Sequence, residues 1–154
     1  MYLSAQAIAA MQAVKRVHFL NENAVRENKA IGDAAGLKNI GVHLITVQPG
    51  HCSTEYHFHH YEEECVYVLS GQGTVVIGGE SHKVGPGDSI YAPAGIAGSH
   101  EWHIGKDGLE LLSIRATNDG HRRMQFTVNR NTGESVIDMH ELGRMDAISF
   151  ESHY

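Results

Sequence analysis

The chain lacks long apolar runs, runs of basic residues and a cysteine framework. No stretch approaches the roughly 20 apolar residues that a membrane helix requires. The formal net charge of -6 comes without a run of Lys or Arg, which argues against nucleic acid or an anionic membrane surface as partner. The two cysteines, Cys52 and Cys65, lack CxxC spacing and cannot form a disulfide framework, so we expect the protein to be located in the reducing cytoplasm. These absences favour a small molecule as the ligand.

What the chain has instead is glycine and histidine. Its 154 residues, 42% of them hydrophobic and 19% charged, are enough for one domain with a core of its own. The 17 glycines indicate many turns, and the 12 histidines stand against a single tryptophan. Only the clustered histidines support an argument about chemistry.

The first 36 residues predict a helix followed by an arm. Ser4 can cap a helix from Ala5 to about Lys15, in which apolar residues recur at spacings of three and four. From Arg16 to Lys29 neither the helical nor the strand period is present, and three asparagines indicate an irregular arm. We expect residues 1–36 to pack on the main domain or on a partner subunit.

From residue 37 onward the pattern is that of an all-β protein. Ile40 to Val47 alternates as a half-buried strand does. Gly78-Gly79 predicts a two-residue hairpin, and Gly85-Pro86-Gly87-Asp88 predicts a tight turn. Many short strands at this spacing favour a sandwich or barrel, of which the jelly roll is a common closed form. Further strands are predicted at 54–60, 65–70, 73–77, 82–84, 89–92, 99–104, 109–116 and 124–128, and a short strand or helix at 135–145.

His57 and His59 stand two residues apart, so in an extended strand their imidazoles leave the same face. A carboxylate follows at Glu64, just before an apolar run. Imidazole nitrogen with carboxylate oxygen is a donor set for a divalent transition metal, here Fe, Mn, Zn, Ni or Cu. Glu62 and Glu63 are so near that a small shift of the strand would change the ligand, and all three glutamates stay open.

A later segment supplies a fourth donor. Pro93-Ala94-Gly95 makes a turn, and His100 follows it, with His103 as the alternative. Together with the two-histidine strand and its glutamate, this gives a site of three nitrogens and one oxygen.

These two segments resemble the two sequence motifs of the cupin superfamily. The first motif is G-x5-H-x-H-x3,4-E-x6-G, and its leading glycine is one residue away, at Gly50. The remaining positions are matched by His57, His59, Glu64 and Gly71.

The second cupin motif, G-x5-P-x-G-x2-H-x3-N, is matched in its first half by Gly87, Pro93 and Gly95. Gly98 stands at the histidine position and Ile104 at the asparagine position. Some small cupins have a longer turn, P-A-G-x-x-N-G-H, and the segment 93–100 is similar to that variant.

The resemblance implies a small single-domain cupin, similar to members provisionally named sugar phosphate isomerases. It implies a double-stranded β-helix, the jelly-roll barrel, over 37–128, between the N-terminal helix and arm at 1–36 and a C-terminal extension at 129–154. It also implies one divalent transition metal, a homodimer, and action on a sugar, sugar phosphate or hydroxy-acid by isomerase or dioxygenase chemistry. A non-enzymatic ligand-binding or regulatory cupin is the alternative. The metal ligands are then His57, His59, Glu64 and His100.

Four further residues are candidates for the pocket around the metal. Tyr91 and Trp102 are aromatic side chains suited to line it, and Glu62, His103 or Tyr91 could act as a base. A phosphate would need a cation, and the nearest in sequence are Arg115, Arg122 and Lys106. By strand parity, His60 and Cys65 are expected to face away from the cluster.

Overall fold

The computed structural model describes residues 1–95, 100–117, 125–128 and 135–137. Strands dominate it, and the expected all-β class and jelly-roll architecture are confirmed. The elements in chain order are α1 (Ala5–Ala10), β1 (Val14–His18), β2 (Asn21–Lys29), α2 (Ile31–Ala34), β3 (Ile40–Val47), β4 (His57–His59), β5 (Glu62–Ile77), β6 (Glu80–Val84), β7 (Ser89–Ala92), β8 (His100–Thr117), β9 (Gln125–Val128) and β10 (Ser135–Ile137).

Two long antiparallel strands, β5 and β8, form the axis of the fold. One edge of β8 pairs with β5 and the other with β3, while β5 also pairs with β6 and β7. The short strand β4 pairs with the start of β8 and with β9. One continuous antiparallel sheet therefore wraps around the interior in which the clustered histidines lie.

Each long strand corresponds to two predicted ones, so the predicted breaks at 71–72 and 105–108 are wrong. The β5–β8 register shifts between Val68 and Ser70 and again between Gly71 and Gly73. Gly71 has a φ of 83°, and a Cβ there would lie 2.1 Å from the carbonyl oxygen of Gly108. These glycines bend the strand pair as bulges do, whereas in the sequence they resemble turn residues.

The N-terminal helix is shorter than predicted. Ser4 does cap it, because its hydroxyl accepts a hydrogen bond from the Ala7 amide at 3.1 Å. The helix ends at Ala10 rather than near Lys15, and β1 follows from Val14. Its last turn is tied to the hairpin by the Lys29 ammonium, which donates to two of its carbonyl oxygens at 3.0 Å. A cation at the negative end of a helix stabilises it.

The prediction of an irregular arm at 16–29 is wrong. These residues form most of the β1–β2 hairpin, and β2 continues the main sheet by pairing with β3 through Glu27 to Lys29. Asn21 and Asn23 lie at its turn, where the Asn21 side chain accepts from the Asn23 amide at 2.8 Å. The sequence of β2 has little strand propensity, so its conformation is determined by pairing with β3.

Several shorter predictions are confirmed. Ile40–Val47 and Ser89–Ala92 are strands with the predicted bounds. Gly78 and Gly79 both have positive φ in the β5–β6 hairpin. In the turn at 85–88, the Asp88 amide donates to the Gly85 carbonyl at 3.1 Å. At 135–145 the described part is the strand β10, and the remaining residues lie outside the described ones.

The apolar core fills one part of the barrel interior. Val68 of β5 lies opposite Leu111 of β8, and Val75 lies opposite Trp102. Val66 and Leu109 belong to the same core cluster. All of them are buried. Among the described residues, no helix is long and apolar enough to span a membrane.

Candidate metal centre

The clustered histidines lie at the other part of the same interior. His57 and His59 are on β4, Glu64 is near the start of β5, and His57 lies directly opposite His100 of β8. His57, His59 and Glu64 each offer a ligand atom, and these atoms lie within 4.8 Å of one another. The two histidines are almost completely buried. Strand parity thus directs both imidazoles inward, as predicted, and pairing brings the carboxylate to them.

One ring nitrogen of His57 is hydrogen-bonded to the backbone. Its Nδ1 lies 2.8 Å from the Glu55 carbonyl oxygen and 3.2 Å from the Thr54 hydroxyl. A carbonyl oxygen can only accept, so Nδ1 carries the proton and Nε2 keeps its lone pair. Burial lowers the pKa of His57 well below its ordinary value, and the neighbouring His100 and His59 lower it further. His57 is therefore a neutral donor.

His59 lies between two carboxylates. Its Nδ1 is 3.3 Å from Glu62 Oε2, and its Nε2 is 3.2 Å from Glu64 Oε2. The contact with Glu62 is an ion-pair contact, because its geometry is not that of a hydrogen bond. Burial alone would lower the pKa of His59, but the contacts with Glu62 and Glu64 outweigh burial and raise the pKa to about 9. Without a metal, His59 is thus a buried imidazolium between two buried carboxylates.

Glu64 is the carboxylate at the middle of the cluster. One oxygen, Oε2, contacts His59 and lies 3.3 Å from His100 Nε2, while Oε1 accepts a hydrogen bond from the Ser113 hydroxyl at 2.6 Å. Burial would raise the pKa of Glu64, but the hydrogen bonds from His100 and His59 lower it well below its usual range. Of the other glutamates, Glu62 lies behind His59 and Glu63 is exposed.

The two late histidines face opposite ways. The ring of His100 is 4.5 Å from that of His57 and buried with it. His103 follows His100 by three residues, so its side chain leaves the opposite face of β8. Its Nε2 lies 2.6 Å from Glu101 Oε1, and its Nδ1 lies 3.6 Å from Cys52 Sγ. The structure therefore brings His100, and not His103, to the cluster.

Three of the four predicted pocket residues are not at the cluster. Tyr91 is 69% exposed and lies opposite Cys65, on the face of β5 that points away from Glu64. Trp102 belongs to the apolar core, and His103 lies on the outer face. Glu62 is the exception, because it contacts His59 with a fully buried side chain. The expectations that Cys65 faces away and that His60 is exposed agree with the structure.

Sequence reasoning missed two inward-facing residues, His43 and Ser113, and named Arg115 only as one of three cations that are near in sequence. In the register, Ser113 lies opposite His43 of β3, and Arg115 lies opposite Glu64 of β5 and Gly41 of β3. Residues directly opposite in an antiparallel pair share a face. The signal was present as period two along 41–47 and 109–115, but only register shows that this face lines the site.

The donor set suits a transition metal. The Nδ1 positions of His57 and His59 are held by the Glu55 carbonyl and by Glu62, which leaves both Nε2 atoms for the centre. Carbonyl or carboxylate partners of this kind orient metal-binding imidazoles in proteins. Imidazoles with one carboxylate are typical ligands of iron, manganese, zinc, nickel or copper.

Comparisons with known proteins agree with the geometry. The family model described as "Cupin domain" matches residues 43–115. A provisionally named sugar phosphate isomerase of Acidithiobacillus ferrooxidans is 40% identical, with 97% of each chain covered and a TM-score of 0.73. A cupin-superfamily sugar phosphate isomerase of Silicibacter pomeroyi is similar in fold, at 23% identity, with 89% of this chain and 91% of that chain covered and a TM-score of 0.66. An uncharacterised protein of Streptomyces coelicolor is 30% identical over 77 residues, which are 50% of this chain and 70% of that protein.

Proposed function

Since the chain belongs to the cupin superfamily, we propose that it is a metal-dependent enzyme acting on a small polar organic molecule. The observation that supports this most directly is the buried group of His57, His59 and Glu64, whose donor atoms lie within 4.8 Å of one another. These three protein donors do not fill the coordination sphere of a metal, so a position stays open for a small molecule.

The proposed ligands are His57, His59, Glu64 and His100, and the proposed cofactor is one divalent ion of Fe, Mn, Zn, Ni or Cu. When bound, such an ion supplies a Lewis acid or, if it is iron, a centre for O2 chemistry. The chain positions its donors by Glu62 behind His59 and by Ser113, which donates to Glu64.

The proposed substrate is a sugar, sugar phosphate or hydroxy-acid, and the proposed chemistry is of the isomerase or dioxygenase type. The name of the Acidithiobacillus relative at 40% identity supports the isomerase version. Isomerisation requires a group that moves a proton. We assign this role to His43, which faces inward opposite Ser113, whereas His103 and Tyr91 face outward and Glu62 is held against His59.

A cytoplasmic homodimer is part of the same proposal. Both cysteines are free thiols, which fits a reducing compartment. The outward face around β5 and β7 exposes Tyr67, Leu69 and Tyr91 to 44%, 40% and 69%. An apolar strip of this kind suits an interface with a second copy. Sedimentation of wild type and Tyr67→Lys would test this, and an unchanged monomer in both would contradict it.

Metal analysis followed by a substrate screen tests the enzyme proposal. Purified wild-type protein should contain close to one transition-metal ion per chain, and His57→Ala should contain almost none, with His82→Ala on the exposed hairpin as control. Turnover would then appear as O2 uptake, or as deuterium exchange at carbon in an aldose, ketose or their phosphates. A metal-free wild type would contradict the metal site, and ligand binding without turnover would favour the non-enzymatic alternative.

A further inference from the structure

A thiol, an imidazole and a carboxylate lie beside one another on the face of β8 opposite to that of His100. Glu101 and His103 are two residues apart on this strand, so their side chains leave the same face. Cys52 lies directly opposite His103 in a short antiparallel pairing, between two backbone hydrogen bonds of 3.3 Å. Side chains approach each other most closely at such a non-hydrogen-bonded pair. The backbone therefore fixes the contact between the thiol and the imidazole.

The three groups are ordered so that the imidazole can take a proton from the thiol. His103 Nε2 lies 2.6 Å from Glu101 Oε1, and since a carboxylate oxygen only accepts, Nε2 carries the ring proton. The lone pair of the neutral ring is then on Nδ1, which lies 3.6 Å from Cys52 Sγ, a hydrogen-bonding distance for sulfur. Glu101 is buried, whereas His103 is exposed and Cys52 partly exposed. The thiol and its imidazole are thus open to small solutes.

Without a base, this thiol would be a poor nucleophile. The thiolate is the reactive form of cysteine. Burial raises the pKa of the Cys52 thiol, and the carboxylates of Glu101 and Glu55 raise it further, so the sulfur stays protonated near neutral pH. A nucleophilic reaction of Cys52 therefore requires a group that removes the proton as the sulfur attacks, and His103 is placed to accept it.

The backbone around Cys52 favours a disulfide over an acyl compound as the reaction partner. Acyl transfer needs amide donors for the oxyanion that forms on the substrate. The Cys52 amide donates to the Asn23 carbonyl at 3.1 Å and the Ser53 amide to the Trp102 carbonyl at 3.3 Å, so both amides are already used by the fold. A disulfide develops its negative charge on the departing sulfur and needs only a proton there.

We propose that Cys52 is a nucleophilic thiol that forms a mixed disulfide with low-molecular-weight disulfides, with His103 as its base and Glu101 positioning the imidazole. The Cys52 sulfur attacks one sulfur of the disulfide, the new S–S bond forms as the old one breaks, and the thiol proton passes through His103 to the leaving thiolate. One disulfide is consumed and one small thiol is released, so no other oxidant takes part. Small thiols reverse the modification, and the site does not depend on the proposed metal-dependent function.

Reaction rates of the Cys52 thiol test the proposal in Cys65→Ser protein, where it is the remaining cysteine. The probe is dithiodipyridine, a neutral disulfide whose released thiopyridone is followed by absorbance. We expect His103→Ala in this background to react more slowly near neutral pH by about tenfold or more, although the smaller side chain opens access to the sulfur. His82→Ala removes another exposed histidine beside a glutamate and should leave the rate unchanged. A His103→Ala rate within about twofold of the background protein would overturn the proposal.

The pH profile separates a base from a merely structural residue. The two rates should converge in alkaline solution, where hydroxide removes the thiol proton without His103. A constant ratio of the two rates at every pH would overturn the assignment of His103 as the base. His103→Gln, which keeps a polar side chain and cannot take the proton, is used if His103→Ala does not fold.

Glu101→Gln tests the positioning role by the sign of its effect. The Glu101 carboxylate raises the pKa of Cys52, so removing its charge alone would make the thiolate more available and the reaction faster. Positioning predicts a slower reaction near neutral pH, because a glutamine amide that donates to Nε2 leaves the ring proton on Nδ1, facing the thiol. A faster reaction of Glu101→Gln would overturn the positioning role.

Discussion

The two parts of the barrel interior are made by the same strands and differ only in chemistry. Toward one end, β5 and β8 direct Val66, Val68, Leu109 and Leu111 inward, and every one of them is buried. Toward the other end, the same alternation directs Glu62 and Glu64 inward from β5, and Ser113 and Arg115 from β8. A single change of residue type along an unbroken strand pair thus divides a packed core from a candidate active site.

The comparison shows that burial stabilises one end and not the other. At the apolar end, removing surface from water is favourable by about 25 cal/mol per Å². At the polar end, burial opposes the charged forms of His59 and Glu64, which are maintained by their mutual contacts and by Ser113. The stability of the polar end should therefore depend on specific hydrogen-bonding and charged partners, and the stability of the apolar end on how well side chains fill its volume.

Trp102→Ala should have the largest effect on stability. The side chain is buried in the apolar core, and truncating a buried aromatic residue costs about 3–5 kcal/mol. Urea unfolding measures this loss, with Tyr2→Ala, at an exposed aromatic residue outside the proposed interface, as control. Folded Trp102→Ala should still bind metal stoichiometrically. Loss of metal from the folded variant would mean that the two ends are not independent.

His59→Ala and His57→Ala should differ in the metal-free protein. Removing the neutral His57 leaves the buried carboxylates paired, whereas removing the charged His59 takes a cation from Glu62 and Glu64. Breaking a buried ion pair costs about 3–5 kcal/mol. We expect both variants to lose the metal and His59→Ala to be less stable by about 2 kcal/mol or more. Equal free energies of unfolding for the two variants would contradict a charged His59 between Glu62 and Glu64.

Glu62→Gln should weaken metal binding without abolishing it. Glu62 contacts the ring nitrogen of His59 that faces away from the centre, and loss of such a partner typically costs about 10–100-fold in metal affinity. Glu63→Gln makes the same change on the exposed face of β5 and serves as control. Competition with a chromophoric chelator measures both. An affinity of Glu62→Gln equal to that of Glu63→Gln would show that Glu62 does not position His59.

Ser113→Ala should have a smaller effect at the same end. The hydroxyl donates to Glu64 Oε1 at 2.6 Å, and a hydrogen bond to a charged group contributes about 1.5–3 kcal/mol. Chemical denaturation of metal-free protein should show a loss near the lower bound, since the carboxylate keeps its contacts with His59 and His100. Ser81→Ala, at an exposed serine of β6, should leave the stability unchanged. A Ser113→Ala variant as stable as Ser81→Ala would show that the hydrogen bond to Glu64 does not stabilise the cluster.

The smallest expected effect is the release of protons when the protein binds its metal. The pKa of His59 is about 9 in the folded metal-free protein, above the roughly 6.5 of an unfolded histidine, so its stabilising contribution is complete below about pH 6.5 and is lost as the pH rises through 9. At about pH 7.5, a metal that takes His59 Nε2 must release about one proton. Calorimetry in buffers of different ionisation enthalpy measures this number. Metal uptake without proton release would contradict a charged His59.

Sequence alone predicted the parts of the site that depend on neighbouring residues. The spacing of His57 and His59 places both rings on one face in any extended strand, and the bounds of Ile40–Val47 followed from its alternation. Prediction failed where a glycine bent a strand without ending it, as at Gly71. It also failed where a strand of low propensity was completed by a neighbour, as in 16–29. Those outcomes depend on partners far away in the chain.

By itself, the sequence predicted the all-β class from its strand and turn pattern, and its two motifs resembled those of the cupins. It also placed two histidines on one face of a strand, with a carboxylate after them, because side-chain parity along a strand is a local property of the backbone. Only the tertiary structure decided that His100 rather than His103 joins them, that Tyr91 faces outward, and that Arg115 lies against Glu64. Register between strands is fixed by the packing of the whole barrel, and a chain read one segment at a time does not contain it.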